Sequence, residues 1–180
     1  MDPASERSTV LGLLEAATVQ LLQSLSVKLV PRNGAQLGFA IRGARDAGGV
    51  AAVAGRIVAE AGKARAGGAC TFGTDEEIAR AILTVMKFDP RRRSAGLVRF
   101  SDRAIRVLED DLFLECCTPD AADLRPGIST MDWGVAACCK GGVPDVIYFK
   151  GRAGTEGTIL VIGEDPADVA NNIIITSNRL

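Results

Sequence analysis

Apolar residues first recur at helical spacing. Val10, Leu13, Leu14, Ala17 and Leu21 share one face, which predicts an amphipathic helix from Ser8 to Leu25. Beyond it the apolar runs shorten. "VKLV" (27–30) and "LGFAI" (37–41) have strand length and lie between glycine-bearing turns. "RDAGGVAAV" reads as a turn and a short helix leading to a strand at "GRIVA". In "FGTDEEIARAILTVMKFDP", Ile78, Ile82, Val85 and Met86 restore the helical period from Asp75 to Phe88, and Pro90 helps end it. Thr74, with Glu77 three residues on, reads as a capping box.

"GLVRF" and "LFLECC" read as strands on either side of a helix over "DRAIRVLEDD", with Ser101 as its cap. "TPDAADLRPGIS" is a polar loop, and "TMDWGVAACCK" a short helix capped by Thr130 or Asp132. "DVIYF" and "TILVIG" form a strand pair joined through "KGRAGTEG". "EDPADVANNIII" opens a closing helix with proline in its first turn. Helices and strands interleave, but several strand connections have hairpin length. That predicts an α/β domain with a mixed sheet, not a strict parallel βαβ repeat. No repeat or linker divides residues 1–180, so one domain is expected, with an N-terminal helix at 8–25 and an α/β body at 27–175.

Composition narrows the chemistry. Of 180 residues, 47% are hydrophobic and 24% charged, which fits a folded core. Basic and acidic side chains nearly balance at a formal charge of −1, so neither nucleic acid nor an anionic membrane is an expected partner. Arg91, Arg92 and Arg93 read as a solvated loop. The chain has no histidine, which removes Ser–His and Cys–His catalysis and every His-ligated metal site. The five cysteines include the adjacent pairs Cys116–Cys117 and Cys138–Cys139, and read as buried, reduced thiols in a cytoplasmic protein. The polar "MDPASERSTV" does not resemble a secretory signal, and no apolar run has membrane-spanning length.

Few segments carry candidate chemistry. The helix start at Asp75, Glu76 and Glu77 is a favourable place for anions, and these acids fill it themselves. "GRAGTEG" is a hairpin loop by composition, or a set of backbone donors facing a phosphate beside Arg152. Trp133, between Asp132 and Gly134, is either core or a ring that stacks on a flat heterocycle. Arg56, in the apolar "AGRIV", either reaches the surface or meets an anionic partner.

Taken together, "VAAVAGRIV", "FGTDEEIARAILTVMKFDP", "VRFS", "DWG", "GGVPDVIYFKGRAGTEG" and "VIGEDPADVA" resemble the archaeal-type thiamine-phosphate synthase domain, ThiN, nearly gap-free from Pro31 to Ala170. The resemblance implies a three-layer α/β/α fold with a mixed, largely antiparallel sheet, similar to class II aldolase and adducin-like domains. The family joins hydroxymethylpyrimidine diphosphate to thiazole phosphate and releases pyrophosphate, usually with Mg²⁺. Its domains occur fused to a pyrimidine kinase, alone, or behind a helix-turn-helix as a repressor's sensor.

By position, Arg56 matches the family arginine expected to meet phosphate. Phe72, Gly73, Ala79 and Arg80 match the "FG…AR" frame, and Asp132, Trp133, Gly134, Pro144, Asp145, Gly151, Gly154 and Glu156 match later pocket motifs. Where synthases read small residue, Ser, Ser, His, this chain reads Thr74, Asp75, Glu76, Glu77. Glu77 therefore stands in the catalytic histidine's place, and direct phosphate capture at this helix start is not expected. Mg²⁺ held through Asp75 or Glu76 is the open alternative. The resemblance implies a domain that binds thiamine phosphate or its precursors with synthase activity in doubt, the alternative being an active synthase. A homo-oligomer is compatible with either.

Overall fold

The computed structural model describes residues 2–120, 130–152 and 154–180. Helix α1 (Pro3–Ser24) opens the chain, starting earlier than its apolar period because Pro3 suits a first turn. Strands β1 (Gln36–Ala40) and β2 (Val50–Val53) follow, then β3 (Ile57–Glu60), β4 (Lys63–Ala66) and β5 (Cys70–Phe72). Next come α2 (Glu76–Phe88), β6 (Ser94–Arg99), α3 (Asp102–Arg106), which runs into a π-helical turn at Val107–Asp111, and β7 (Cys116–Cys117). The chain closes with α4 (Thr130–Cys139), β8 (Val146–Phe149), β9 (Thr158–Gly163) and α5 (Pro166–Asn178).

Seven strands form one sheet in the order β5-β2-β1-β6-β9-β8-β7. The β7–β8 pair is parallel and every other pair in this sheet is antiparallel. Helices α1 and α5 pack together on one face, α2 and α4 on the other, which gives three layers. The central strands are buried on both sides, and their alternation assigns each side chain to a layer. Leu37, Phe39, Val98 and Val161 face α1 and α5, whereas Ala40, Leu97, Leu160 and Ile162 face α2 and α4. Gln36 shares the parity of Ala40 and therefore points toward α2.

Several local expectations change. "VKLV" holds a 3₁₀ turn at Val27–Leu29, capped by the Ser26 hydroxyl. In "RDAGGVAAV" the helical part is a 3₁₀ turn at Ala47–Gly49, and "VAAV" is itself a strand of the main sheet. "GRIVA" does not enter that sheet. Its strand pairs with β4, as a separate hairpin. "LFLECC" contributes two strand residues. Most of "TPDAADLRPGIS" lies outside the described residues, as does the residue before α4, while Thr130 begins that helix and Asp132 sits within it.

The expectation of reduced thiols fails for one pair. Cys117 on the edge strand and Cys138 near the end of α4 have Cα atoms 6.0 Å apart and are joined as a disulfide, which a 21-residue separation does not reveal. Cys116 and Cys139 remain thiols, and burial pushes them up to about 12 and about 11. Among the described residues, no helix is long and apolar enough to cross a membrane.

Candidate functional site

A cleft of about 890 Å³ opens at one end of the sheet, within the usual range for small-molecule sites. Here β1 and β9 begin while β2, β6 and β8 end, so the loops from these strands converge. Leu97 of β6 and Thr158 of β9 form the floor. One wall is the turn after β2 and the start of α2, carrying Arg56 and Glu77. The other is the β8–β9 hairpin, with Phe149, Lys150, Arg152, Gly154, Thr155 and Glu156. Strands β1 and β6 separate β2 from β9, so three strand spacings set these walls roughly 14 Å apart.

Arg56 is not a strand residue. It occupies the turn before β3 with φ +63°, a left-handed conformation that costs a non-glycine residue about 1 kcal/mol or more. Its surroundings hold it there. Arg56 Nε donates to Asp75 Oδ2 at 2.8 Å, and Nη2 reaches Asp75 Oδ1 at 3.3 Å and Glu77 Oε1 at 3.2 Å. Gly34 backs the residue so closely that a Cβ there would stand 2.8 Å from Arg56 Cβ.

The start of α2 explains the acids. Asp75, not Thr74, is the N-cap, because its extended backbone lets Oδ1 accept from the Glu77 and Ile78 N–H groups at 3.0 and 3.2 Å. The capping box is therefore absent, and Glu77 turns its carboxylate to Arg56 instead. Asp75 also accepts from Gln36 Nε2 at 2.9 Å. Burial alone would raise the Asp75 carboxyl, but Gln36, Arg56 and the Ile78 N–H together hold it below its ordinary value. Burial likewise opposes the Arg56 charge, and Asp75 and Glu77 outweigh it, leaving Arg56 raised.

This arrangement sets a pH dependence. Asp75 binds fewer protons in the folded than in the unfolded protein, so stability rises with pH across its titration. The contribution is complete above the ordinary value of 3.8 and lost as pH falls through the lowered folded value. Urea unfolding between pH 6 and pH 3 should show an acid-side loss that Asp75→Asn reduces. An unchanged acid limb in the variant would place that loss in other carboxylates.

The opposite wall is electrically different. Glu156 accepts from the Arg32 N–H at 2.8 Å and lies 2.9 Å from Arg99 Nε, a charge contact angled off the hydrogen-bond line. Among the described residues, the side chains of Arg32, Lys150 and Arg152 have no ion pair. Among the described residues, cations without an ion pair therefore collect on the hairpin side, whose acid Glu156 is engaged by Arg99, while the α2 side pairs its cation Arg56 with two acids.

Of the residues singled out in the sequence, the structure brings Arg56, Glu77, Arg152, Gly154 and Glu156 to the cleft, with Gly151 at the hairpin base. The others lie elsewhere. Arg80, Asp132 and Trp133 line a groove on the outer side of α2 and α4 with Arg45 and Lys87. Arg80 pairs there with Glu76 at 3.3 Å. Asp145 holds Arg92 at 3.3 Å and the Glu115 N–H at 2.9 Å, at a separate polar depression. Phe72 lies under the Arg7 guanidinium, 3.9 Å from its ring centroid, and Gly73 donates to Val50 O.

Gly134 does not line the cleft but shapes it, since a Cβ there would stand 2.9 Å from Phe149 Cζ. Gly134→Ala should displace the Phe149 ring and destabilise by roughly 1–3 kcal/mol. Thermal unfolding checks this, and an unchanged midpoint would show that the ring has room to move. Sequence reasoning missed Arg32, Asn33, Leu97, Met131, Phe149, Lys150, Thr155 and Thr158. Only the positions of Thr155 within "GRAGTEG" and of Lys150 beside it offered a local signal.

Asp75 and Glu76 do not fit a Mg²⁺ bridge. Both Asp75 oxygens are occupied by Gln36, Arg56 and the helix start, and Glu76 is turned outward to Arg80. No group of three or more metal-ligating acids or cysteines occurs among the described residues.

Known proteins place the domain. It is 32% identical over 158 residues to the bifunctional thiamine biosynthesis protein ThiDN of Methanocaldococcus jannaschii, covering 86% of this chain and 37% of that protein. The chain thus spans little more than a third of that relative. It is 32% identical over 128 residues to thiamine-phosphate synthase ThiN of Methanothermobacter thermautotrophicus, 67% of each. The crystal structure of the C-terminal domain of a phosphomethylpyrimidine kinase superposes with a TM-score of 0.86 at 29% identity, covering 95% of this chain and all of that one. A sugar-phosphate aldolase from Thermotoga maritima shares the fold alone, with a TM-score of 0.51 at 11% identity over 96% of this chain and 92% of that one. The family model for thiamine-phosphate synthase ThiN matches residues 14–175, and the chain belongs to that family.

Proposed function

We propose that this domain binds thiamine phosphate, or its pyrimidine and thiazole phosphate precursors, and that its synthase activity is weak. The observation behind this reading is the engagement of Arg56 by Asp75 and Glu77, while Lys150 and Arg152 carry no ion pair among the described residues. Thiamine phosphate joins a cationic thiazolium ring to an anionic phosphate monoester. The ring belongs beside Glu77 and the phosphate at the hairpin, in charge-assisted contact with Lys150 and Arg152. Pyrimidine diphosphate, more highly charged, meets carboxylates where a synthase would stabilise its leaving group. We place the protein in the cytoplasm, where the Cys117–Cys138 disulfide would be unusual for a mesophile.

The second reading is an active synthase. It is favoured by Arg56, the arginine expected to meet phosphate, lining the cleft wall. An assay with both precursors, quantifying thiamine phosphate against a no-enzyme control, separates the two. Tight product binding without turnover supports the first reading, and turnover the second. Changing Lys150 and Arg152 together to alanine should weaken thiamine phosphate roughly tenfold and thiamine little, since only the former carries the anion. Equal losses in titration calorimetry would remove the phosphate from the hairpin.

A further inference from the structure

Gln36 is 1% exposed and makes use of both ends of its amide. Its Oε1 accepts from the Leu37 and Val53 N–H groups at 3.0 and 2.9 Å, and its Nε2 donates to Val53 O at 3.0 Å and Asp75 Oδ2 at 2.9 Å. The β1–β2 register extends from Ala40↔Val50 to Gly38↔Ala52. At Val53 the Gln36 side chain takes over the role of a backbone partner. The two strands separate there, and β2 leads into the turn that carries Arg56. One buried amide thus connects the end of the ladder to the Asp75 carboxylate.

We propose that Gln36 and Asp75 form a buried clamp that sets the cleft's ligand charge, holding Arg56 away from diphosphates so that phosphate monoesters are preferred. The inference rests on the ligand-binding reading above and specifies which phosphate class that site accepts. Asp75 Oδ2 receives both Gln36 Nε2 and Arg56 Nε, so the amide fixes the oxygen that engages the guanidinium. Two of the arginine's donor nitrogens, Nε and Nη2, are directed at carboxylates. Nη1 has no hydrogen bond among the described residues, but an anion approaching it also meets Asp75 and Glu77. That repulsion grows with ligand charge and so falls harder on a diphosphate than on a monophosphate. Gln36 is a positioning residue in this scheme, acting through Asp75.

The test uses inorganic phosphate and inorganic pyrophosphate as probes, titrated by calorimetry against the full chain. The wild type should bind pyrophosphate no more tightly than phosphate. Asp75→Ser retains a good helix cap but is too short to hold Arg56. It should tighten pyrophosphate roughly tenfold or more, the scale of one charge-assisted hydrogen bond, with little change for phosphate. Gln36→Met should move the same ratio in the same direction by a smaller amount, and should add nothing in the Asp75→Ser background, because both changes release one arginine.

An unchanged ratio in Asp75→Ser overturns the clamp, as does a wild type that already prefers pyrophosphate tenfold. A full additive effect of Gln36→Met overturns the role of Gln36. Should Gln36→Met not fold, judged by thermal unfolding, Asp75→Ser alone decides whether the clamp exists. A parallel titration of the wild type with thiamine phosphate isolates the underlying reading. Its failure sinks the proposed ligand and leaves the outcome with phosphate and pyrophosphate intact.

Discussion

Arg56→Ala is expected to destabilise the domain by about 3 kcal/mol while changing phosphate affinity little. The arginine's main partner, Asp75, keeps only 8% of its side chain exposed. Removing the guanidinium leaves that carboxylate buried with Gln36 and backbone N–H groups but no opposing charge, a loss typically worth ~3–5 kcal/mol. Relief of the left-handed backbone offsets none of this, because alanine at φ +63° is strained as well. For a domain of this size the expected drop in midpoint is roughly 6–12 °C. Arg56→Lys should recover only part of it, since an ammonium cannot form the forked contact to Asp75. Thermal unfolding with calorimetric titration of thiamine phosphate separates stability from binding. A large phosphate-selective loss without destabilisation would mean that Arg56 touches the ligand's phosphate, and the charge-split reading of the cleft would be wrong.

The second large effect is a gain. Asp75→Ser combined with Glu77→His should raise thiamine-phosphate formation above the wild type. The serine retains the cap of α2, Arg56 is released toward a departing diphosphate, and the imidazole supplies a donor that glutamate lacks while ionised. Assistance by a positioned acid is commonly worth ~10²–10⁴ in rate, well above background. Restoring serine at Glu76 should contribute nothing, because that carboxylate faces outward to Arg80. Glu77→His alone should do less than the pair, since Asp75 would still hold the arginine. Steady-state synthesis at saturating precursors and Mg²⁺ tests this. A fast wild type slowed by both variants would make Glu77 a working residue of an active synthase.

These two predictions differ from what residue-by-residue reading supports, and the difference has a physical origin. From the sequence, Arg56 looked like an isolated strand arginine and Glu77 like the acid of a capping box. The neighbours that redefine them are distant along the chain. Gln36 is 39 residues from Asp75, and Arg56 is 19. Periodicity records burial along one element and carries no information about a polar contact between elements.

What the sequence by itself determined was local or periodic. The core of α2 and, except for the exposed Leu13, that of α1 follow from apolar residues at helical spacing, the start of α5 follows from its first-turn proline, and Ser101 caps α3 through its own hydroxyl. The β8–β9 hairpin follows from strand pairs around a glycine-rich loop. Six segments, from "VAAVAGRIV" to "VIGEDPADVA", identified the family by their order and with it the layered fold. Beyond the β8–β9 hairpin, the tertiary structure alone decided which strands are neighbours, that β3 and β4 stand outside the main sheet, and that Cys117 meets Cys138. It also decided the cleft's membership. A helix presents residues to different sides every turn, so Glu77 faces the cleft while Glu76 and Arg80, its close neighbours in sequence, face the outer groove.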